Sequence, residues 1–434
     1  MNQKIKKEKA VAIVKKLRRA GFTAYFVGGC VRDMAMRKEP KDFDIATSAK
    51  PEEILRLFKC QVYPVGVKFG TLLLVRGAIP FQVSTFRSLK GRYAASINED
   101  VQVRDFTINA LAYDPLKRTL IDLVSGKKDI RRKIIRAVGA PKLRFREDPL
   151  RLVRAVRFAA TLGFRIEGNT YKAIQKLAGR IRRVSKERLR DELVLLFTGP
   201  DPARGLELLD RTGLLKYVLP EVAKLKGIQQ PKAFHPEGDV FRHTALMLEK
   251  LKRPSLSLVF SCLLHDIGKP ATFQISDRIR FNNHDLVGAR LSDKILKRLR
   301  FANKERQDIV AAVENHMHLM AAPQMRPATL RRLLDRPTFE QELQLHRLDC
   351  LASHGDLSLW RFLKKQYARF CSAPLIPKPL VDGNELIKMG FTPGPIFGRI
   401  LNTMIDLQME GKLSSPGQAR KWVLATFAKE RQDA

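Results

Sequence analysis

Acidic residues are scarce in this chain of 434 residues, which has 44 Asp and Glu against 81 Lys and Arg and a formal net charge of +37. Long apolar runs are lacking too, since none approaches the ~18 residues of a membrane-spanning helix. Hydrophobic residues still make up 44% of the chain, which excludes a disordered basic protein. A folded protein with this charge needs an anionic partner, so we expect nucleic acid first and a membrane surface second. No lipidation motif supports the membrane.

Cysteine is rare as well. The chain has five cysteines, an odd number, and no C-x-x-C pair. The pattern indicates neither a disulfide framework nor a zinc ribbon, and it is typical of a reducing compartment. The first nine residues contain no apolar stretch of the kind found in secretory signals. We therefore expect a cytoplasmic protein.

The pattern of apolar, charged and proline residues divides the chain into four predicted regions, within the two to four domains expected for this length. Short β-rich runs with Gly and Pro lie in a first domain, residues 1–140. Helical periodicity follows in residues 141–225. All eight histidines lie in a third domain, residues 235–360, and a proline-rich linker leads to a last helical segment, residues 375–434.

Two of the helical stretches are strongly basic. Residues 131–157 contain ten Arg or Lys and two acids, and residues 172–190 contain eight Arg or Lys against Glu187 alone. One such run is usually a solvated helix face. Two unbalanced runs in succession favour a surface that binds phosphates.

Two glycines and two aspartates lie near the N-terminus. Gly28-Gly29 follows a predicted strand and precedes a helix, where main-chain N–H groups can approach a triphosphate. Asp42 and Asp44 follow, and residues i and i+2 of a β-strand face the same way. Such a carboxylate pair can hold Mg²⁺, and two metal ions commonly support phosphoryl transfer. Each pattern alone is frequent, but their combination within 17 residues indicates a nucleotide site.

The stretches 28–33 and 42–44 together resemble the active-site signature of the nucleotidyltransferase superfamily. The branch they resemble is the bacterial-type (class II) tRNA nucleotidyltransferase and poly(A) polymerase family. Three further stretches match this family in order, residues 104–111, 122–136 and 147–151. The likeness extends from about residue 22 to about residue 220.

This resemblance implies a template-independent enzyme that adds CCA to the 3′ end of tRNA from CTP and ATP. The 3′-hydroxyl would attack the α-phosphate of the nucleotide, and pyrophosphate would leave. Asp42 and Asp44 would be the catalytic residues and the ligands of Mg²⁺. The implied nucleotide-binding residues are Gly28, Gly29, Arg32, Arg104, Asp105, Asn109, Asp148, Arg151, Arg154 and Arg157.

The residues Asp148 and Arg151 have a physical basis for choosing between nucleotides. Separated by three positions on a helix, they would lie on one face. CTP and ATP both present an amine beside a ring nitrogen, which a carboxylate and a guanidinium can recognise, whereas UTP and GTP do not. The alternative interpretation of this pair is a simple salt bridge.

The family pattern is not matched everywhere. Only 16 residues lie between Arg87 and Arg104, and family members that add all three nucleotides typically have a longer segment there. Relatives with a shortened segment resemble enzymes that add CC only, so CCA and CC remain alternative products. A CC-adding enzyme would need a separate A-adding enzyme as partner. At Met36-Arg37 many relatives have a glycine.

The third domain resembles the HD phosphohydrolases, because a histidine, a His-Asp pair and a later aspartate occur in the order of that family. A buried, unpaired carboxylate is costly, and imidazole with carboxylate suits a divalent metal. By analogy, a second activity would hydrolyse phosphomonoesters or cyclic phosphates. The implied metal ligands are His243, His265, Asp266 and Asp349, with His284 and His316 as additional candidates.

We therefore predict an α+β fold. A nucleotidyltransferase head built on a mixed β-sheet would be followed by an extended all-α neck and body, an HD helical domain and a C-terminal helical segment. Two other functions compete with tRNA end addition. A poly(A) polymerase shares the catalytic motifs, although the HD domain argues against it. An HD phosphohydrolase could use its N-terminal half only to bind RNA, but such a module has no need of the catalytic aspartates.

Overall fold

The structure is a computed structural model that describes residues 3–58, 62–63, 70–88, 93–231, 235–370 and 374–430. The chain divides into two compact units, residues 1–220 and 221–434. The cysteines Cys30, Cys262 and Cys350 are free thiols, and the other two lie outside the described residues. Among the described helices, none is long and apolar enough to cross a membrane.

A mixed β-sheet forms the centre of the first unit. Its strand order is β3-β4-β5-β2-β1-β6-β7. Strands β2 and β5 pair in parallel and their neighbours pair antiparallel, so the predicted mixed sheet is confirmed. The strands are β1 Ala24–Val27, β2 Asp44–Thr47, β3 Val62–Tyr63, β4 Thr71–Arg76, β5 Ile79–Thr85, β6 Ala112–Asp114 and β7 Thr119–Ile121.

Helices of this unit cover the sheet and then continue without it. Helix α1 buries Ala10, Ile13, Val14 and Leu17, a spacing that puts one apolar stripe on a basic helix. The helices are α1 Gln3–Arg19, α2 Gly29–Ala35, α3 Pro51–Phe58, α4 Ile97–Gln102, α5 Gly126–Arg132, α6 Pro141–Glu147, α7 Leu150–Leu162, α8 Gly168–Leu177, α9 Lys186–Phe197, α10 Pro202–Arg211 and α11 Leu215–Val218.

The local chemistry of the sequence explains where the later helices begin and end. The side chain of Ser185 accepts a hydrogen bond from the main-chain N–H of Arg188 at the start of α9, and Asp201 caps α10 in the same way before Pro202. Helix α7 ends at Gly163, whose φ of 70° is the left-handed conformation that closes a helix. The two-residue strands β8 Ile134–Ile135 and β9 Arg165–Ile166 pair in parallel within this helical part.

The second unit is built mainly from helices. A short hairpin of strands β10 Gln274–Ile275 and β11 Ile279–Arg280 interrupts them. The predicted α+β class, with a sheet in the head and helices beyond it, is therefore confirmed. The prediction did not include the two short strand pairs, β8 with β9 and β10 with β11. The helices, of which the first begins at the unit boundary, are α12 Pro220–Ala223, α13 Val240–Glu249, α14 Leu256–Leu264, α15 Lys269–Thr272, α16 His284–Arg298, α17 Asn303–Asn315, α18 Pro327–Leu334, α19 Phe339–Ala352, α20 Ser358–Phe370, α21 Gly383–Lys388, α22 Pro395–Met409 and α23 Pro416–Thr426.

Two hydrophobic clusters mark the later helices of this unit. One contains Leu333, Phe339 and Leu363, contributed by α18, α19 and α20. The other contains Ile400 and Val423, contributed by α22 and α23. The four predicted domain ranges stay a prediction, since a division into two units at residue 220 does not test them.

Candidate functional site

The glycine turn lies between β1 and α2. Strand β1 ends at Val27, and Gly28 has a φ of 73°, a conformation that favours glycine because it has no Cβ. A Cβ at this position would lie 3.7 Å from both an Asp44 carboxylate oxygen and an Arg104 guanidinium nitrogen. The turn therefore brings main-chain groups close to the two side chains that the family resemblance assigns to Mg²⁺ and nucleotide binding.

The two aspartates differ in their positions. Asp44 is the first residue of β2 and pairs with Val27 of β1. Asp42 lies before the strand, so the expectation that both carboxylates share one strand is wrong in that detail. The Asp42 side chain is 77% exposed and forms an ion pair with Lys6 of α1. Burial raises the pKa of Asp44, Arg104 opposes this shift and Asp42 adds to it.

One cavity of about 680 Å³ in the first unit contains every residue that was predicted for nucleotidyl transfer. These residues come from four separate segments of the chain. Seven arginines and four aspartates line the cavity, so its wall is strongly cationic around a small acidic part. The predicted residues that line it are Gly28, Gly29, Arg32, Asp42, Asp44, Arg104, Asp105, Asn109, Asp148, Arg151, Arg154 and Arg157.

Acidic partners hold the arginines nearest the glycine turn. Arg32 donates from Nε and Nη2 to Asp33, and from Nη1 to the Asn109 side-chain oxygen at 2.9 Å. Arg104 donates from Nε at 2.8 Å to Asp100, which is almost fully buried. Because a paired guanidinium loses fewer rotamers on binding, these arginines are oriented before any nucleotide arrives.

Four charged side chains form a continuous network of ion pairs that links the stretch 104–111 to helices α7 and α9. Asp105 accepts from Arg154 at 2.7 and 3.0 Å. Arg154 also donates to Glu192 on α9 at 3.0 Å, and the other oxygen of Glu192 accepts from Arg157 at 2.6 Å. Burial alone would raise the pKa of Asp105, but Arg154 lowers it to about 2. Glu192 belongs to none of the motifs that predicted this site.

The nucleotide-selecting pair lies at a junction between two helices. Helix α6 ends at Glu147, and Asp148 has an extended backbone with a φ of −139° before α7 begins. The prediction that Asp148 and Arg151 share a continuous helix is therefore wrong. Asp148 accepts from Arg188 of α9 at 2.8 Å, whereas Arg151 contacts Glu147 and donates to the Val103 carbonyl at 2.9 Å.

Within the part of the chain that the structure describes, Asp148 and Arg151 form no ion pair with each other. The simple salt bridge is thus not formed in this conformation. Both side chains instead keep polar atoms on the wall of the cavity. Arg188 is a further member of this site, and its only sequence signal was its place in the second basic run.

The residues at the first cavity suit Mg²⁺. Carboxylate oxygens are the ligands that this cation prefers. Asp42 and Asp44 supply them on the cavity wall beside the N-terminus of α2. A buried carboxylate with a raised pKa, such as Asp44, gains most from a cation at its side.

The second predicted site lies within the second unit, where helix ends converge. His243 is on the first turn of α13, His265-Asp266 follows the end of α14, and Asp349 is on α19. The predicted ligands form two groups whose ligand atoms lie within 4.8 Å of one another, and a third such group joins His243 to His235 and Glu237. The first two groups are His243, His265 and Asp349, and Asp266, His284 and His316.

The geometry and electrostatics of these groups fit a divalent metal. The buried Nε2 atoms of His243 and His265 each face a carboxylate, at 3.0 Å from Asp349 Oδ1 and at 3.2 Å from Asp266 Oδ2. Imidazole nitrogens and carboxylate oxygens gathered in this way are suitable ligands for a divalent cation. His284 Nε2 lies 3.1 Å from His316 Nε2 and 3.6 Å from Asp266 Oδ1. Together the two groups of ligand atoms would hold one or two divalent cations.

Charged neighbours set the protonation of the ligands. Burial would lower the pKa of His243, but the carboxylates of Asp349 and Glu237 raise it to about 9. Burial and two nearby imidazoles lower the pKa of His316 to about 4. Burial would raise the pKa of Asp266, but His265 and then Lys269, whose Nζ lies 2.7 Å away, hold it well below its ordinary value.

Gly268 permits the His-Asp turn to approach α16. A Cβ at this residue would lie 2.1 Å from the main-chain oxygen of His284. No side chain fits there without a shift of the backbone, so the glycine keeps the two parts of the metal site together. A cavity of about 450 Å³ opens beside it and is lined by Asp266, His284, His316 and Asp349, together with Arg278 and Arg280 of the hairpin.

Comparisons with known proteins agree with this division of sites. Three family models match the chain. The Poly A polymerase head domain matches residues 24–136, the probable RNA and SrmB-binding site of polymerase A matches residues 163–226, and the HD domain matches residues 239–353.

Several named proteins are similar over most of their length. The A-adding tRNA nucleotidyltransferase of Deinococcus radiodurans is 33% identical over 92% of this chain and 94% of its own. The CCA-adding enzyme of Limosilactobacillus reuteri is 31% identical, with 94% of each chain covered. The crystal structure of Bacillus stearothermophilus CCA-adding enzyme in complex with CTP has a TM-score of 0.76 and 28% identity, covering 97% of this chain and 98% of that one.

Proposed function

Because this chain belongs to the bacterial-type family of tRNA nucleotidyltransferases and poly(A) polymerases with an HD domain, we propose that it adds nucleotides to the 3′ end of tRNA from CTP and ATP without a template. The observation that carries this proposal is the single cavity lined by all twelve predicted transferase residues. The matching RNA-binding segment, residues 163–226, supports tRNA as the acceptor.

In this proposal the 3′-hydroxyl oxygen of tRNA forms a bond to the α-phosphorus, and the bond from that phosphorus to the bridging oxygen breaks to release pyrophosphate. The main chain at Gly28 and Gly29, with Arg32, binds the phosphates. Mg²⁺ held by Asp42 and Asp44 would supply Lewis-acid stabilisation of the attacking and leaving oxygens. The pentavalent transition state gains negative charge, which the arginines of the cavity offset.

Base choice is assigned to Asp148 and Arg151. A carboxylate accepts from the exocyclic amine of cytosine or adenine, and a guanidinium donates to the adjacent ring nitrogen. Arg188 holds the Asp148 carboxylate by a charge-assisted hydrogen bond of 2.8 Å. UTP and GTP place a carbonyl and an N–H at these positions, so both protein groups would be left unpaired.

The segment between Arg87 and Arg104 favours CC as the product. Within it, residues 97–102 form helix α4, and Asp100 accepts from the main-chain N–H of Arg87 at 3.1 Å and from the Arg104 side chain. A short segment anchored at both ends has little freedom to rearrange for a third nucleotide. Residues 89–92 of this predicted loop lie outside the described residues.

The test uses three forms of one tRNA, lacking CCA, ending in C and ending in CC, each with CTP, ATP or both. Two additions to the first form and none to the CC form support CC addition, and three additions support CCA addition. A single A added only to the CC form would show A addition, the activity named for the Deinococcus relative. A ladder of adenosines would overturn the proposal in favour of a poly(A) polymerase.

A matched pair of variants tests the assignment of the carboxylates. Asp42→Ala removes a proposed metal ligand and should abolish transfer, whereas Glu39→Ala removes an exposed acid three residues away and should leave transfer unchanged. Transfer retained by Asp42→Ala would refute the role of Asp42.

The HD site supports a second proposed activity, the hydrolysis of phosphomonoesters or cyclic phosphates. The specific observation in its favour is the convergence of buried imidazole nitrogens and carboxylate oxygens, in groups whose ligand atoms lie within 4.8 Å of one another. A divalent cation at this site would supply Lewis-acid activation of water for that hydrolysis. Opening of a 2′,3′-cyclic nucleotide to its 2′- or 3′-monophosphate with added Mn²⁺, lost in Asp266→Ala, would support it. Equal conversion by that variant would overturn it.

A further inference from the structure

Three of the four histidines of the HD site form the same contact between Nδ1 and the main chain. In each of them Nδ1 contacts the main-chain carbonyl three residues earlier, from His265 to Cys262 at 2.9 Å, from His284 to Phe281 at 2.8 Å and from His316 to Val313 at 2.6 Å. A carbonyl oxygen can only accept, so Nδ1 must carry the proton in each ring. In the neutral imidazole, Nε2 then keeps its lone pair for a metal.

His243 is the exception among the ligands. The carbonyl three residues before it belongs to Val240 and accepts from the Thr244 hydroxyl at 2.9 Å. Nδ1 of His243 instead lies 2.7 Å from Oε1 of Glu237, in the turn before α13. The Glu237 side chain is 5% exposed, and the same oxygen lies 3.0 Å from Nδ1 of His235.

We propose that Glu237 is a positioning residue of the HD metal site, which fixes the tautomer and the ring orientation of His243. It does for His243 what main-chain carbonyls do for the other three histidines. This inference rests on the proposed binding of a divalent metal by the HD site. Glu237 touches neither the metal nor a substrate in this assignment, and it acts only through the imidazole.

The carboxylate of Glu237 is a stronger hydrogen-bond acceptor than a main-chain carbonyl. Its negative charge makes the hydrogen bond to Nδ1 stronger and increases the basicity of Nε2. His243 Nε2 lies 3.0 Å from Asp349 Oδ1 in the first group of ligands, so a metal bound there would take the place of the proton between these two atoms. Loss of such an outer carboxylate typically weakens metal binding about 10- to 100-fold.

The experiment titrates the metal-free full chain with Mn²⁺ by calorimetry and with Co²⁺ by its visible absorption. Glu237→Leu removes the acceptor and should weaken binding about 10- to 100-fold. Glu237→Gln keeps a neutral oxygen for Nδ1 and should bind with intermediate affinity. Glu249→Gln, at the exposed end of α13, is the matched control and should bind like the unchanged chain.

A double variant separates positioning from general damage to the fold. In a His243→Ala background, Glu237→Leu should cost no further affinity, because there is no ring left to orient. The melting temperatures of the metal-free variants check that the fold is intact. They should lie within about 2 °C of the unchanged chain, a shift that corresponds to about 1 kcal/mol for a unit of this size.

Each outcome decides the inference. Metal affinity of Glu237→Leu within twofold of the unchanged chain would overturn it, as would an equal loss in the His243→Ala background. A Co²⁺ spectrum unaltered by Glu237→Leu would also count against it. If the unchanged chain bound no more metal than His265→Ala, the proposed metal site itself would fail, which is a different result.

Discussion

Glu192 is the partner whose loss should most disturb the transferase site. Its two oxygens accept from Arg154 at 3.0 Å and from Arg157 at 2.6 Å, and its side chain is 7% exposed. Glu192→Gln would place an NH₂ group against one guanidinium and remove the negative charge that both share. Breaking a buried ion pair by loss of one partner costs about 3–5 kcal/mol. Because the amide keeps one acceptor, we expect about 3 kcal/mol.

This loss can be measured as a change in melting temperature. For a unit of about this size, 1 kcal/mol corresponds to a shift of about 2–4 °C, so Glu192→Gln should melt about 6–12 °C lower. Asp191→Asn is the matched control on the same helix. Asp191 is 62% exposed and pairs with the adjacent Arg190, so its loss should cost no more than about 1 kcal/mol.

The same variant should also raise the KM for CTP, because Arg154 holds Asp105 as well as Glu192. Nucleotide titrations at a temperature well below both melting transitions separate this effect from unfolding. If Glu192→Gln melted within 2 °C of the Asp191→Asn control, the argument for a buried, energetically coupled network would be refuted.

Three further predictions concern single contacts. Arg188→Met removes the hydrogen bond to Asp148 and should reduce the preference for CTP over UTP, measured as kcat/KM, about tenfold. The reason is that a charge-assisted hydrogen bond contributes about 1.5–3 kcal/mol. An unchanged preference would contradict the role of Arg188. The pKa of Asp105 is lowered from 3.8 to about 2. Ionised Asp105 should therefore stabilise the fold by about 2 kcal/mol above pH 4, and this stabilisation should be lost as the pH falls through 2. Urea unfolding of Asp105→Asn and the unchanged chain should therefore show a gap that is constant from pH 7 to 5 and narrows below pH 4. Gly268→Ala should lower the free energy of unfolding of the second unit by about 1–3 kcal/mol and weaken Mn²⁺ binding, because the new Cβ would overlap the main-chain oxygen of His284. Unchanged metal affinity would contradict this prediction.

The residues that come together at the two sites were largely predictable from the sequence, because they belong to local motifs. Gly28, Asp44 and Arg104 come from three motifs, and the structure brings them to one cavity. The α+β class followed from the change of hydrophobic periodicity near residue 130. The roles of these residues stay predictions until the assays above are done.

The partners of those groups were not predictable. Asp100, Glu192 and Glu237 are acids outside the catalytic motifs, and each is selected by distance in three dimensions. No periodicity indicates which of 44 acids will lie beside a given guanidinium or imidazole. The break at Asp148 did have a signal, since Pro149 disfavours a helical conformation in the residue before it.

The net charge of +37 acts differently at the transferase cavity and on the surface. In the cavity the arginines are matched by acids, as in the pairs of Arg104 with Asp100 and of Arg154 with Glu192. These acids reduce the local excess of positive charge, but they fix the direction of each guanidinium before nucleotide binds. We therefore expect triphosphate recognition to depend on the orientation of these guanidinium groups, and we expect the surplus charge of the basic runs to serve an RNA backbone, whose recognition needs charge more than direction.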